Sequence, residues 1–337
     1  LTRTTQSADL LRSGDARALA RAISTVENHA PGWIELLKEL FPHTGKALTI
    51  GITGSPGAGK STLVDQLAKL YRSTKNPHST KTALRQAQGR PLSGPPHDNN
   101  YSVGIIAVDP TSPYTGGAIL GDRIRMQDHF SDPGIYIRSM ATRGSLGGLA
   151  SATADVASVL DAAGRDMVMI ETVGVGQDEI EIVRVADITI VILVPGMGDD
   201  VQTIKAGIME IADIFVINKS DHEGAERVER EIRALQSLAV RSDNWTPPIV
   251  KTVATEGQGI PELAETIASY ESYQREQNLL QQRRSRNWEV RLLEMLRDTL
   301  LERARKLIPE SELTRYASEI AEHKRDPYSV IEEIAGS

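Results

Sequence analysis

The chain has 337 residues, 38 basic and 45 acidic side chains and a net charge of -7, with a pI near 5.6. That balance argues against a nucleic-acid partner, which needs a basic face, and the absence of cysteine excludes disulfides and thiolate ligands while fitting a reducing compartment. The length suits one main domain with helical extensions, and the longest apolar run, Ile188 to Val194, is far short of the roughly 20 residues a membrane span requires.

Ala8 to Thr25 and Pro31 to Leu40 carry helical spacing, with Leu10, Leu11, Ala18, Leu19 and Ile23 on one face. Arg3, Arg12, Arg17 and Arg21 mimic a transit peptide, but Asp9, Asp15 and the lack of an apolar core fit a surface helix better, so a cytoplasmic protein is expected. The chain begins at Leu1, which reads as a missing start or a literal translation of a non-standard start codon. Residues 1–45 form an N-terminal helical segment, residues 46–265 the core, and residues 266–337 a helical, highly charged extension.

The core opens on ALTIGIT (47–53), followed by Gly54-Ser55-Pro56-Gly57-Ala58-Gly59-Lys60-Ser61-Thr62, which fits the phosphate-binding pattern Gly-x-x-x-x-Gly-Lys-Ser. Gly54, Gly57 and Gly59 let main-chain N–H groups turn onto phosphate oxygens, Lys60 reaches the β/γ oxygens, and the Ser61 hydroxyl suits Mg²⁺. Ser61 to Leu70 reads as a helix whose N-terminus adds positive charge. Arg72 to Asn100 then breaks the pattern: rich in Pro, Ser, Gly and Gln, it is expected to be a disordered, tolerated insertion.

Further apolar runs follow at VGIIAVD (103–109), MVMIE (167–171), ITIVILV (188–194), IFVIN (214–218) and IVKTV (249–253). Continuous rather than alternating apolarity marks strands buried on both faces, so the fold class is α/β, a P-loop NTPase with a mostly parallel sheet. Site residues in such sheets gather at strand carboxyl ends, where Gly54, Asp109, Glu171, Pro195, Asn218 and Ala254 all fall. Asp109 and Asp122 flank Thr115-Gly116-Gly117 and are candidate carboxylates for the metal and the attacking water. Arg143-Gly144-Ser145-Leu146-Gly147-Gly148 is a candidate flexible contact loop.

Glu171-Thr172-Val173-Gly174 suits a γ-phosphate sensor, with the acid orienting Mg²⁺ and the Gly174 amide donating to the phosphate. Asn218-Lys219-Ser220-Asp221 fits Asn-Lys-x-Asp, in which the Asp221 carboxylate accepts from N1–H and the exocyclic amine of guanine, a pair adenine lacks. Adenine would leave that carboxylate unpaired at a cost on the order of 1–3 kcal/mol, so GTP and GDP are the expected ligands. Ala254 and Thr255 suit the last base-contacting loop. Ras-like enzymes place a water-orienting glutamine directly after the sensing glycine, whereas Gly174 is followed by Val175 and the nearest glutamine is Gln177, so intrinsic hydrolysis is expected to be slow. Beyond Pro261 the chain turns helical, and Leu293, Leu296, Leu300 and Leu307 make a stripe, interrupted at Arg303, that suits core packing or a dimer arm.

LLRSGDARALARAIS, GSPGAGKST, AVDPTSPYTGGAILGDRIRM, RGSLGGLA, ETVGVGQ, VPGMGDDVQTIKAGIMEIAD and NKSD together resemble the MeaB/ArgK-type GTPases across nearly the whole chain. The resemblance implies a GTPase core, a C-terminal helical arm that forms a homodimer, and a chaperone role toward a cobalamin-dependent acyl-CoA mutase such as methylmalonyl-CoA mutase. In that role it would gate adenosylcobalamin delivery and protect the mutase. Carried over, Lys60 and Ser61 match the phosphate loop, Asp109, Asp122 and Glu171 match the metal and switch acids, and Gly196 to Lys205 matches a switch contacting the mutase through Asp199, Asp200, Gln202 and Lys205. The chain departs from the family pattern at Arg72 to Asn100. Competing readings are an ATP-using kinase linked to amino-acid transport, against which Asn-Lys-x-Asp argues; a nickel metallochaperone-type GTPase, which would want Cys/His ligands; and a silent module using GTP only to fix its shape.

Overall fold

In the computed structural model, residues 10–11, 14–75, 100–109, 129, 131–141, 148–172, 184–196, 210–238, 241 and 243–336 are described. The chain divides into two compact units, Leu1–Arg283 and Arg284–Ser337, each treated by itself below.

The first unit begins with helices α1 (Ala16–Glu27) and α2 (Trp33–Leu40). The first helix does not run unbroken from Ala8 as the spacing suggested, because Gly14 takes a positive φ of 88° and the Asp15 carboxylate caps a fresh start by accepting from the Ala18 N–H at 2.7 Å. Then come β1 (Leu48–Gly54), α3 (Lys60–Ser73), β2 (Val103–Asp109), β3 (Ile135–Ala141), α4 (Gly148–Ala162), β4 (Met167–Glu171), β5 (Ile188–Leu193), β6 (Ile214–Asn218), α5 (Ala225–Gln236), β7 (Ile249–Thr252) and α6 (Ile260–Glu276). The seven strands pair in the order β3-β2-β4-β1-β5-β6-β7, every pairing parallel. All strand carboxyl ends therefore lie on one edge of the sheet.

Successive strand residues feed opposite faces. Ile50, Ile105, Met169, Ile190 and Val216 pack with Leu63, Leu67 and Tyr71 of α3 and with Leu263 and Ile267 of α6. On the other face Ile106, Val168 and Ile170 meet α1, α2 and α4, while Val191, Phe215 and Ile217 meet α5. The strand β3 was not anticipated from the sequence. It occupies an edge of the sheet, where Tyr136, Ile137, Arg138 and Ser139 are only half buried, so the segment lacks the continuous apolar run of an interior strand. Arg138 instead reaches Glu27 of α1, its Nε donating at 3.0 Å.

Register is marked at the strand starts by three aspartates. Asp166, Asp187 and Asp213 each stand one residue before β4, β5 and β6. Their N–H groups donate to the carbonyls of Ser102, Thr49 and Thr189 at 2.9, 2.8 and 2.9 Å. Their carboxylates accept the N–H groups of the same three residues at 2.7, 2.9 and 2.8 Å. Asp213, 1% exposed, also accepts from Tyr270 Oη at 2.7 Å and pairs with Arg283 at 2.7 Å and Arg241 at 3.3 Å.

The expected insertion starts later than Arg72. The α3 helix continues through Ser73, and Lys75 bridges Asn100 in antiparallel fashion. Asn100 Nδ2 donates to the Arg72 carbonyl at 2.6 Å, while the Arg72 guanidinium donates to the Tyr101 carbonyl at 2.8 Å and to Asp132 at 2.8 and 3.0 Å. Residues 76–99 lie outside the described residues, but their root is closed at the amino ends of the strands.

The second unit holds the remainder of α7 (Leu279–Leu307), α8 (Glu310–Ala321) and α9 (Pro327–Gly336). Tyr316 is its buried centre, donating to Glu333 at 2.9 Å with the Arg315 and Arg325 guanidinium groups 4.8 and 5.3 Å from its ring centroid. On α7, Leu292, Leu293, Met295, Leu296, Leu300 and Leu301 are exposed by 46% to 64%. Within this unit Leu293, Leu296 and Leu300 of the stripe are thus not core. No helix among the described residues is long and apolar enough to cross a membrane.

Because the root is closed by described contacts, replacing residues 76–99 with a short Gly-Ser turn should leave the fold intact and raise stability by about 1 kcal/mol through reduced loop-closure entropy. Urea unfolding of the shortened chain measures this, and a loss of cooperative unfolding would refute it.

Candidate functional site

Strand β1 delivers its last residue, Gly54, to the carboxyl edge beside β5. A Cβ on Gly54, whose φ is +144°, would lie 2.3 Å from the Ile192 carbonyl, so the chain can leave the sheet here only as glycine. Gly57 and Gly59 adopt φ of +77° and +88°, and the turn from Ser55 to Ala58 is closed by the Ala58 N–H donating to the Ser55 carbonyl at 3.1 Å. The helix α3 then starts at Lys60 with Gly59 as its N-cap and no side-chain cap. Its first N–H groups, at Lys60, Ser61 and Thr62, are directed at the loop with the positive end of the helix dipole behind them. This is an anion cradle of main-chain donors.

Two side chains complete it. Lys60 is 6% exposed, and its ammonium donates to the Gly54 and Ser55 carbonyls at 2.7 and 3.0 Å. The Ser61 hydroxyl donates to Glu171 Oε1, at the end of β4, at 2.6 Å. Next to Glu171, the Thr172 hydroxyl meets that of Thr53 at 3.0 Å and the Thr172 N–H donates to the Ile52 carbonyl at 3.1 Å. The sequence held no signal for that threonine pair.

Strand β6 ends at Asn218, which is 2% exposed and acts as a brace. Its amide donates to the Ala58 carbonyl at 2.8 Å, and its oxygen accepts from the Thr252 hydroxyl at 3.0 Å and the Ala254 N–H at 3.1 Å. Gly59 passes so close that a Cβ there would lie 2.4 Å from Asn218 Nδ2. Lys219, at a positive φ of 54°, sends its ammonium back to the Gly57 carbonyl at 3.0 Å. Asp221 stands in the following turn with its carboxylate 53% exposed and 3.8 Å from His222 Nε2. Ala254 and Thr255 lie in a 3-10 turn, Ala254–Glu256.

The structure therefore brings together Gly54, Ser55, Gly57, Ala58, Gly59, Lys60, Ser61, Thr62, Glu171, Asn218, Lys219 and Ala254, with Asp221 and Thr255 in adjoining turns. Asp109 ends β2 on the same edge, although its side chain is outside the described residues. Asp122, Gly174, Asp199, Asp200, Gln202 and Lys205 also lie outside them, as do Gln177 and Arg143 to Gly147 of the candidate contact loop, whose last residue, Gly148, begins α4. Among the described residues no group of three or more His, Asp or Glu assembles a metal site. The Ser61–Glu171 pair is a hard-oxygen donor set of the kind that holds Mg²⁺ jointly with substrate phosphates. The cradle, the oxygen pair and the braced loop at Asn218 gather on one edge of the sheet, in an arrangement whose chemistry suits a nucleoside triphosphate.

Comparison with known proteins agrees with that chemistry. A family model described as "Methylmalonyl Co-A mutase-associated GTPase MeaB" matches residues 19–308. A putative GTPase from Pyrococcus abyssi is 44% identical over 333 residues, covering 97% of this chain and 95% of its own length. The GTPase ArgK of Escherichia coli is 36% identical over 270 residues, 78% of this chain and 74% of that one. A mouse protein named "Methylmalonic aciduria type A homolog, mitochondrial" is 33% identical over 310 residues, 87% of this chain and 69% of its own. A crystal structure titled LAO/AO transport system kinase superposes with a TM-score of 0.69 at 25% identity, covering 100% of this chain and 98% of that one.

Gly59→Ala should weaken nucleotide binding by about tenfold or more, since a side chain costs roughly 1–2 kcal/mol at that left-handed φ before the contact with Asn218 is added. Titration of a fluorescent guanine nucleotide reads this directly. Unchanged affinity would mean that the loop binds by another conformation.

Proposed function

The chain belongs to the MeaB family of methylmalonyl Co-A mutase-associated GTPases, and from that premise we propose that it hydrolyses GTP to GDP and phosphate to gate adenosylcobalamin delivery to a cobalamin-dependent acyl-CoA mutase and to protect that enzyme. The observation that carries this reading is Asn218. By holding the Ala58 carbonyl and the Ala254 N–H at once, it sets the guanine-selecting Asn-Lys-Ser-Asp stretch against the phosphate loop.

In this reading Ser61 and Glu171 hold Mg²⁺, which when bound neutralises charge on the β- and γ-phosphate oxygens. The main-chain donors of Gly57 to Thr62 orient the phosphates, and Lys60 exchanges the Gly54 and Ser55 carbonyls for phosphate oxygens. Asp221 accepts the guanine edge, and the Lys219 stem lies along the base. The Gly174 amide senses the γ-phosphate, and Asp109 and Asp122 serve the metal and the attacking water. With no glutamine directly after Gly174, the site is slow until a partner completes it. The loop from Gly196 to Lys205 reports nucleotide state to the mutase through Asp199, Asp200, Gln202 and Lys205. The mouse relative's name supports a mutase-linked role. The protein works in the cytoplasm as a homodimer, with the exposed leucines of α7 in the C-terminal helical arm as its contact face.

Steady-state turnover with GTP and with ATP, alone and with an acyl-CoA mutase from the same organism, tests the proposal. Expected are slow hydrolysis, a GTP preference of about tenfold to a hundredfold from the unpaired-carboxylate penalty, acceleration by the mutase, and loss of that acceleration in Lys205→Ala. A preference for ATP would overturn the base-recognition argument. For the arm, the double variant Leu296→Glu/Leu300→Glu should weaken dimerisation by about a hundredfold or more, read as a shift to monomer by sedimentation. A variant that stays dimeric would place the contact elsewhere.

A further inference from the structure

The helix that begins at the phosphate loop also carries a line of polar side chains away from it. Ser61, Asp65 and Arg72 fall at four- and seven-residue steps along α3, which places them on one face. Ser61 holds Glu171 as described. Asp65 Oδ1 accepts from His129 Nε2 at 2.7 Å, with the imidazole only 5% exposed, and Asp65 Oδ2 is paired with Lys69 at 2.9 Å. Arg72 grips Asp132, and the Asp132 N–H donates to the His129 carbonyl at 3.0 Å, closing the turn that leads into β3. One helix face thus ends in the Mg²⁺ ligand of the proposed site and clamps the His129–Asp132 turn at two points.

The two clamps differ in their distance from the chemistry. Asp65 lies one helical turn from Ser61, about 6 Å along the axis, whereas Arg72 lies about 16 Å away. The Asp65–His129 bond is also nearly dry, and burial alone would raise the Asp65 pKa. Hydrogen bonds from His129 and Lys69, with their charges, outweigh that and hold it below its usual value. A buried carboxylate so held has one orientation, and it fixes the imidazole in turn. His129 is also seven residues after Asp122, the candidate acid for the attacking water.

We propose that Asp65 and His129 form a positioning pair for GTP hydrolysis, locking to the second turn of α3 a residue seven positions after Asp122. In this role the pair acts by holding His129 fixed relative to Ser61 rather than by contact with nucleotide or metal, so its loss affects the hydrolytic step and leaves nucleotide binding intact. The inference rests on the hydrolytic reading above.

The test uses the full chain with Mg²⁺ and GTP, measuring kcat, KM, the affinity for a fluorescent GTP analogue and the melting temperature. For His129→Ala, kcat should fall by about tenfold to a hundredfold, as displaced catalytic groups do, with KM and analogue affinity within about twofold. His129→Gln, which can still donate to Asp65, should recover most of kcat. Asp132→Asn, which weakens the distant clamp, should lower the melting temperature without lowering kcat. Unchanged kcat in His129→Ala would overturn the inference, as would an equal kcat loss in Asp132→Asn. A wild-type protein that does not hydrolyse GTP at all would overturn the hydrolytic reading and this inference with it.

Discussion

Asn218 is buried at the meeting point of elements that the chain separates widely. The Ala58 carbonyl, the Thr252 hydroxyl and the Ala254 N–H all depend on its one amide group. Each is a polar group with little access to water, so removal of the amide would leave both donors and acceptors unmet, at about 1–3 kcal/mol apiece. The same amide sets a limit on Gly59, which has no room for a side chain beside it. The glycine loop at 54–59 and the turn at 218–221 are therefore not two independent features of a common sheet. They share a hydrogen-bonded joint, and the shape of one constrains the other.

That joint depends on the sheet beneath it. A parallel strand order brings every carboxyl end to one edge, and strands buried on both faces hold those ends with little freedom. At the opposite edge the chain carries a separate set of polar anchors, including Asp213 with Arg283, Arg241 and Tyr270. The root of residues 76–99 is also on that side, closed by Arg72, Asp132 and Asn100. The two edges thus divide the work. One presents backbone donors and exchangeable side chains, and the other fixes the frame with fully committed ion pairs.

Much of this was legible in the sequence because the signals were local. The phosphate loop needs glycines at fixed offsets, and Gly54, Gly57 and Gly59 all take the positive φ that the pattern anticipates. The interior strands announced themselves by unbroken apolar runs, which only burial on both faces rewards. The edge strand β3 did not, because Arg138 and Ser139 are acceptable where one flank is open. Helix α1 began later than its apolar spacing implied, since the Asp15 cap outranks periodicity in setting a start. The polar partners found only in three dimensions, such as Thr53 with Thr172 and Asp65 with His129, join residues more than sixty positions apart. Nothing in the pattern around a single histidine or threonine points to its mate.

The aspartates that precede β4, β5 and β6 bear on how the chain reaches its fold. Parallel pairing requires distant segments to meet, which slows assembly and leaves time for misaligned partners. A slip by one position would turn each strand's inward residues outward, but apolar strands buried on both faces resist such a slip only weakly. Asp166, Asp187 and Asp213 each close a two-bond ring with one residue in or directly before the neighbouring strand, using N–H and carboxylate together. That ring can form in a single alignment. Three times along the sheet, then, a polar check favours the correct strand partner over its neighbours.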